Sequence, residues 1–129
     1  MKRFNATPMG RFLGFAVAGV PPDVMGIGPV KAIPKVLAQA GLKQDALDWI
    51  ELNEAFACVG IVSARKLGIT EEVVNVNGGA IALGHPIGMS GARIVLSLAL
   101  ELKRRGGGIG AAALCGGGGQ GDALLIRVP

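Results

Sequence analysis

The chain has one histidine, His85, and two cysteines, Cys58 and Cys115, in 129 residues. Two cysteines cannot build a disulfide framework, so a reduced thiol pair in a cytoplasmic protein is the expectation. One histidine and two distant cysteines also make a poor zinc set, and no metal is expected. No stretch reaches the roughly 18 consecutive apolar residues of a membrane-spanning helix, so no membrane partner is expected. Excess charge is lacking too: the formal net charge is +4, and the basic residues are scattered apart from Lys103-Arg104-Arg105. That triplet falls where a helix should end and cations meet the helix dipole, whereas a nucleic-acid surface needs a broader stripe. No nucleic-acid partner is therefore expected.

Half of the residues are hydrophobic, enough for the core of one domain and too many for a disordered chain. Glycine is abundant, with 22 residues, but has no Gly-X-Y period, and aromatics are 4 %. The composition suits an α/β chain with tight turns and closely packed helices. Lys2, Arg3, Arg11 and the apolar residues 12–20 imitate a signal peptide, but Asn5, Pro8 and Gly10 interrupt the pattern and Pro21-Pro22 closes it. The expectation is a buried strand over residues 12–20, preceded by an irregular extension over residues 1–11. Residues 12–129 form the domain.

Pro29 opens a helix in which Val30, Ile33, Val36, Leu37 and Ala40 recur at helical spacing, with Gly41 as its C-terminal cap. Pro34 should disturb its first turns. A turn over residues 45–47 and a strand over residues 49–52 follow, then a helix over residues 55–67 stopped by Gly68 and a loop over residues 75–88. Residues 89–105 read as a helix that is apolar nearly all the way round, so one sheet would leave part of it uncovered. Residues 109–114 and 123–128 read as strands of an antiparallel hairpin. The alternation predicts an α/β fold, a mixed sheet with helices on both faces.

Three segments carry chemistry: Asn53-Glu54-Ala55-Phe56-Ala57, Gly84-His85-Pro86-Ile87-Gly88-Met89-Ser90-Gly91 and Cys115-Gly116-Gly117-Gly118-Gly119-Gln120-Gly121. Histidine and cysteine set in glycine suit a site, because glycine lets a ligand or another backbone approach closely. Each has a plainer alternative. Cys115 ends an apolar strand and can be inert core, His85 can be a bystander on a loop, and Asn53 can cap the helix beginning at Glu54 or Ala55. Cys58, among Phe56, Val59 and Val62, reads as core packing. Gly116, Gly118 and Gly121 fit G-x-G-x-x-G, but residues 122–129 leave no room for the helix that a dinucleotide site needs.

Taken together, the three segments resemble the NEAF, GHPxGxSG and CxGGGxG signatures in the C-terminal half of the thiolases, and the resemblance runs from about residue 12 to 127. It implies Claisen cleavage or condensation of 3-ketoacyl-CoA, as in fatty acid β-oxidation. It also implies a mixed five-stranded sheet, and two such halves clasping central helices in a five-layered sandwich. Coenzyme A would be a substrate, with no tightly bound cofactor. By resemblance, Cys115 is the acid/base thiol and His85 activates the nucleophilic cysteine and donates to the thioester oxygen. Asn53 holds a water in that oxyanion hole, and the Gly117 N–H serves a second one. The half that carries the nucleophile has no counterpart here. The lone chain is expected to be nearly inactive and to work as a homo-oligomer or with a separate N-terminal half, on CoA thioesters whose acyl length that other half sets. The alternative is a non-catalytic thiolase-like interaction domain or a truncated product. β-Ketoacyl synthases share the architecture, but their corresponding half offers two histidines.

Overall fold

Strand β1, Arg11–Gly19, ends where Val20 donates a last ladder-like bond to the Gly119 carbonyl (2.8 Å) and Pro21-Pro22 follows with no donor to offer. In the computed structural model, which describes residues 2–129, Lys2–Phe4 make one 3-10 turn and residues 5–10 form no helix or strand. Helix α1, Gly28–Gln39, starts on Pro29 and buries Ala32, Ile33, Val36 and Leu37. Pro34 does not disturb it. The proline lies on the exposed side of the helix, which stays continuous through it. Gly41, at φ 66°, closes it as expected, with Leu42 N–H donating to the Leu37 carbonyl at 2.9 Å.

Strand β2, Trp49–Leu52, leads to helix α2, Ala57–Leu67, which Gly68 stops in a left-handed conformation. A short helix α3, Ala80–Leu83, interrupts the expected loop, and helix α4 spans Ser90–Arg104. Strands β3, Gly108–Gly116, and β4, Gln120–Val128, form the expected antiparallel hairpin. The sheet order is β1-β4-β3-β2, with β1/β4 antiparallel and β2/β3 parallel.

The sheet therefore has four strands, which corrects the five expected. Beyond β2 the ladder is reduced to a single parallel bridge between Ile50 and Val74. Asn75 explains why it goes no further. At φ 49° it leaves the extended conformation, and its side-chain amide takes both backbone groups of Leu52. Oδ1 accepts from Leu52 N–H and Nδ2 donates to the Leu52 carbonyl, each at 2.8 Å, so a side chain replaces a fifth strand's backbone.

Side chains alternate across the sheet. Ile50, Leu52, Ala111, Ala113, Ala123 and Leu125 meet α1 on one face; Ala112, Ile126 and Val128 meet Ile94, Leu98 and Leu102 of α4 on the other. Helices cover both faces as expected. One sheet covers only one side of α4, and Leu96 and Leu100 remain 53 % and 50 % exposed. At the end of α4, Arg104 and Arg105 fold back to the buried Glu101, and Arg105 lies 3.8 Å over the Trp49 ring. Hydrogen bonds from Arg104, Asn77 and Arg105 hold the Glu101 carboxyl well below the usual carboxylate range.

Candidate active site

The parallel pairing of β2 with β3 sets the floor of the site. Asn53, the residue after β2, donates its backbone N–H to the Ala113 carbonyl (2.9 Å), so it sits beside the end of β3, where Cys115 lies two residues further on. Asn53 is 1 % exposed and Cys115 8 %. Burial pushes the Cys115 thiol up; its own backbone N–H opposes that shift, and nearby Cys58 adds to it. The group is thus held as a protonated thiol. After Cys115 the hairpin turns through Gly118 and Gly119 at φ 83° and 91°, a backbone that only glycine adopts without strain. Gly117 heads this turn with open space above its Cα.

His85 reaches the same place from the far side of α3. Its Nε2 lies 3.3 Å from Asn53 Nδ2, and its Nδ1 lies 2.6 Å from Ser90 Oγ in the first turn of α4. Ser90 in turn donates to the Pro86 carbonyl at 3.1 Å. The loop is held by Glu54: one carboxylate oxygen accepts from Asn75 Nδ2 and the other from Ile81 N–H, both at 2.9 Å. Gly79 makes this possible, because a Cβ there would collide with the Glu54 carboxylate. A single glutamate thus ties the segment after β2 to the segment carrying His85.

The structure joins Asn53 to His85 directly. No hydrogen bond links Cys115 or Gly117 to either of them among the described residues. Two plainer readings are overturned. Asn53 does not cap α2, which begins at Ala57 with Phe56 in the capping position; its amide is drawn to His85 and to Arg93 of α4, whose Nη2 lies 3.4 Å from Asn53 Oδ1. Cys58 is not core either. It lies a third of a turn from the buried Val59 and is exposed, in an open groove of about 320 Å³ with Val24, Met25, Phe56 and Val62.

Four supporting residues had no role from the sequence alone: Glu54, Asn75, Ser90 and Arg93. Ser90 carried a legible signal, since a hydroxyl at the start of a helix five residues after a loop histidine can reach back to it. Beneath the site, Glu51 Oε2 and Arg93 Nε and Nη1 are buried without a hydrogen-bond partner.

Residues 6–128 match the family described as thiolase, C-terminal domain. The chain belongs to this family. A probable acetyl-CoA acetyltransferase of Mycobacterium leprae is 60 % identical over 111 residues, 86 % of this chain and 28 % of the relative. A 3-ketoacyl-CoA thiolase of Bacillus subtilis is 57 % identical over 121 residues, 94 % of this chain and 31 % of the relative. The crystal structure of human mitochondrial 3-ketoacyl-CoA thiolase in complex with CoA superposes with a TM-score of 0.95 at 48 % identity, covering 99 % of this chain and 32 % of that one. The chain thus spans about a third of the length of these thiolases. The four-stranded sheet is a fragment of the thiolase fold.

Proposed function

We propose that residues 12–129 supply the acid/base half of a cytoplasmic thiolase-type acyltransferase acting on CoA thioesters. The nucleophilic cysteine comes from an N-terminal half. The observation that carries this reading is the direct approach of Asn53 to His85, from segments 32 residues apart, beside the strand end that bears Cys115.

In the cleavage direction, His85 Nε2 takes the proton of the nucleophilic thiol, and the thiolate attacks the 3-keto carbon of the substrate. Breaking the bond between the second and third acyl carbons leaves an acyl-enzyme and the enolate of acetyl-CoA. Cys115 gives its proton to the enolate carbon, and burial supports this role because it keeps the thiol protonated until then. The Cys115 thiolate then takes the proton of incoming CoA, whose sulfur attacks the acyl-enzyme, releasing acyl-CoA and restoring the nucleophile. His85 N–H and a water held by Asn53 serve the thioester oxygen, and the Gly117 N–H serves the oxygen of the acyl-enzyme step.

The exposed face of α4 supports a docked partner half. Leu96 and Leu100 are exposed on α4, Phe15 and Val17 of β1 are 49 % and 46 % exposed, and an apolar groove of about 220 Å³ lies between Phe15 of β1 and Gly91, Ile94 and Val95 of α4. The test is CoA-dependent cleavage of acetoacetyl-CoA by the chain alone and mixed with a separately expressed N-terminal thiolase half. Activity only in the mixture is expected. In that mixture Cys115→Ala and His85→Ala should each cut the rate by roughly 10²- to 10⁴-fold while assembly persists. Unchanged rates in both variants would refute the assigned roles, and assembly without activity in the unaltered mixture would favour a non-catalytic interaction domain.

A further inference from the structure

Among the described residues Arg93 is the one charged side chain hydrogen-bonded to the Asn53–His85 pair, and Asn53 Oδ1 is its only hydrogen-bond partner. A guanidinium can only donate. The atom of Asn53 facing it at 3.4 Å must therefore be the carbonyl oxygen, which turns the amide NH2 toward His85 Nε2, 3.3 Å away. Nε2 must then be an acceptor, with the ring proton on Nδ1.

The other end of the chain of contacts accommodates the same answer. The Pro86 carbonyl accepts from Met89 N–H (2.8 Å) and Ser90 N–H (2.9 Å) and also lies 3.1 Å from Ser90 Oγ, where it can take the hydroxyl proton. Ser90 Oγ then accepts from His85 Nδ1 at 2.6 Å. Every donor points the same way: Arg93 to Asn53, Asn53 to Nε2, Nδ1 to Ser90, Ser90 to Pro86. Reversing the imidazole tautomer would turn the Ser90 proton to Nδ1, which costs little, but it would set the Asn53 amide NH2 against the Arg93 guanidinium, so the Arg93 end decides.

We infer that Arg93 is a positioning residue that acts through the Asn53 amide to hold His85 in the Nδ1–H tautomer, with Nε2 unprotonated and its lone pair held by the Asn53 amide until a thiol proton replaces that bond. The inference rests on the reading of His85 as the base that receives the thiol proton, and it deepens that reading by naming what prepares the base. Arg93 is well placed to do this from outside the reacting atoms. It is anchored on α4, one turn after Ser90, so one helix orients the imidazole from both of its nitrogens.

The experiment uses the chain as it is. His85 is the sole histidine, so long-range 1H–15N correlation on the 15N-labelled protein reads its ring nitrogens without assignment, at a pH where the imidazole is neutral. The unaltered chain should show a protonated Nδ1 and a lone-pair Nε2. Arg93→Leu should raise the ratio of Nε2–H to Nδ1–H by roughly tenfold, the equivalent of one hydrogen bond lost. Arg93→Lys, which keeps a donor-only group on the same helix, should retain the original pattern and carries the test if the leucine variant does not fold. An Nε2–H tautomer in the unaltered chain, or an unchanged ratio in folded Arg93→Leu, overturns the inference. If the reconstituted enzyme is silent while the tautomer pattern holds, the proposed function fails and the role of Arg93 in orienting the ring stands.

Discussion

Replacing Glu51 by glutamine should remove most of the pH dependence of folding between pH 5.5 and 8. Glu51 lies on β2 opposite Ala112, 3 % exposed, with Oε2 unpartnered. Desolvation raises its carboxyl from the ordinary 4.5 to about 7; the Arg93 charge opposes this, and the charges of Glu54 and Glu101 add to it. Between those two values the folded chain holds a proton that the unfolded chain has released, so stability falls as pH rises through the window and is flat below and above it. At about 1.4 kcal/mol per pH unit, the loss from pH 5.5 to 8 is roughly 2 kcal/mol. With a urea dependence of roughly 1–3 kcal/mol/M, the midpoint should drop by about 1 M. The window isolates Glu51. Glu101, held low by Arg104, Asn77 and Arg105, loses its contribution only as pH falls below the ordinary carboxylate range, and the raised Cys115 thiol titrates above the window. Urea unfolding followed by the fluorescence of Trp49, the only tryptophan, reads the midpoints. Glu51→Gln also changes the polar contacts beside Arg93 and can shift stability at every pH, so the slope is the diagnostic quantity. A glutamine variant that keeps the slope of the unaltered chain would refute the reasoning.

Iodoacetamide at pH 7.5 should alkylate exposed Cys58 at least roughly tenfold faster than Cys115, whose thiol is buried and shifted up; mass spectrometry of tryptic peptides distinguishes the two, and equal rates would contradict the placement of Cys115. Gly79→Ala should drive the Glu54 carboxylate from its bonds to Asn75 and Ile81 and destabilise the fold by roughly 1–3 kcal/mol, checked by urea denaturation.

Much of the fold was legible because period and punctuation coincide. Residues 49–52 make a short run, apolar but for Glu51, that leads straight into a polar motif, and the strand occupies Trp49–Leu52. Gly41 and Gly68 mark the two helix ends because the left-handed residue after a helix favours glycine. Misreadings arose where a residue's partner lies far along the chain. Asn53 has the residue type of a helix cap, but the choice between capping α2 and bonding His85 is made by a loop 32 residues away. Cys58 sits among apolar neighbours in sequence, but which side of a helix is covered depends on what packs there, and none of the described residues closes that groove.

By itself the sequence determined the α/β alternation, the hairpin that presents Cys115, the glycine-bounded loop that presents His85, and membership in the thiolases. These depend on local backbone preference and on residue identity. Tertiary contacts alone stop the sheet at four strands, let Glu54 and Asn75 tie two remote segments together, and line up Arg93, Asn53, His85, Ser90 and Pro86 in one chain of hydrogen-bond contacts. The physical reason is that hydrogen-bond direction is a property of pairs. A residue's capacity to donate or accept is written in its type, but which capacity is used depends on the group that the fold sets opposite it.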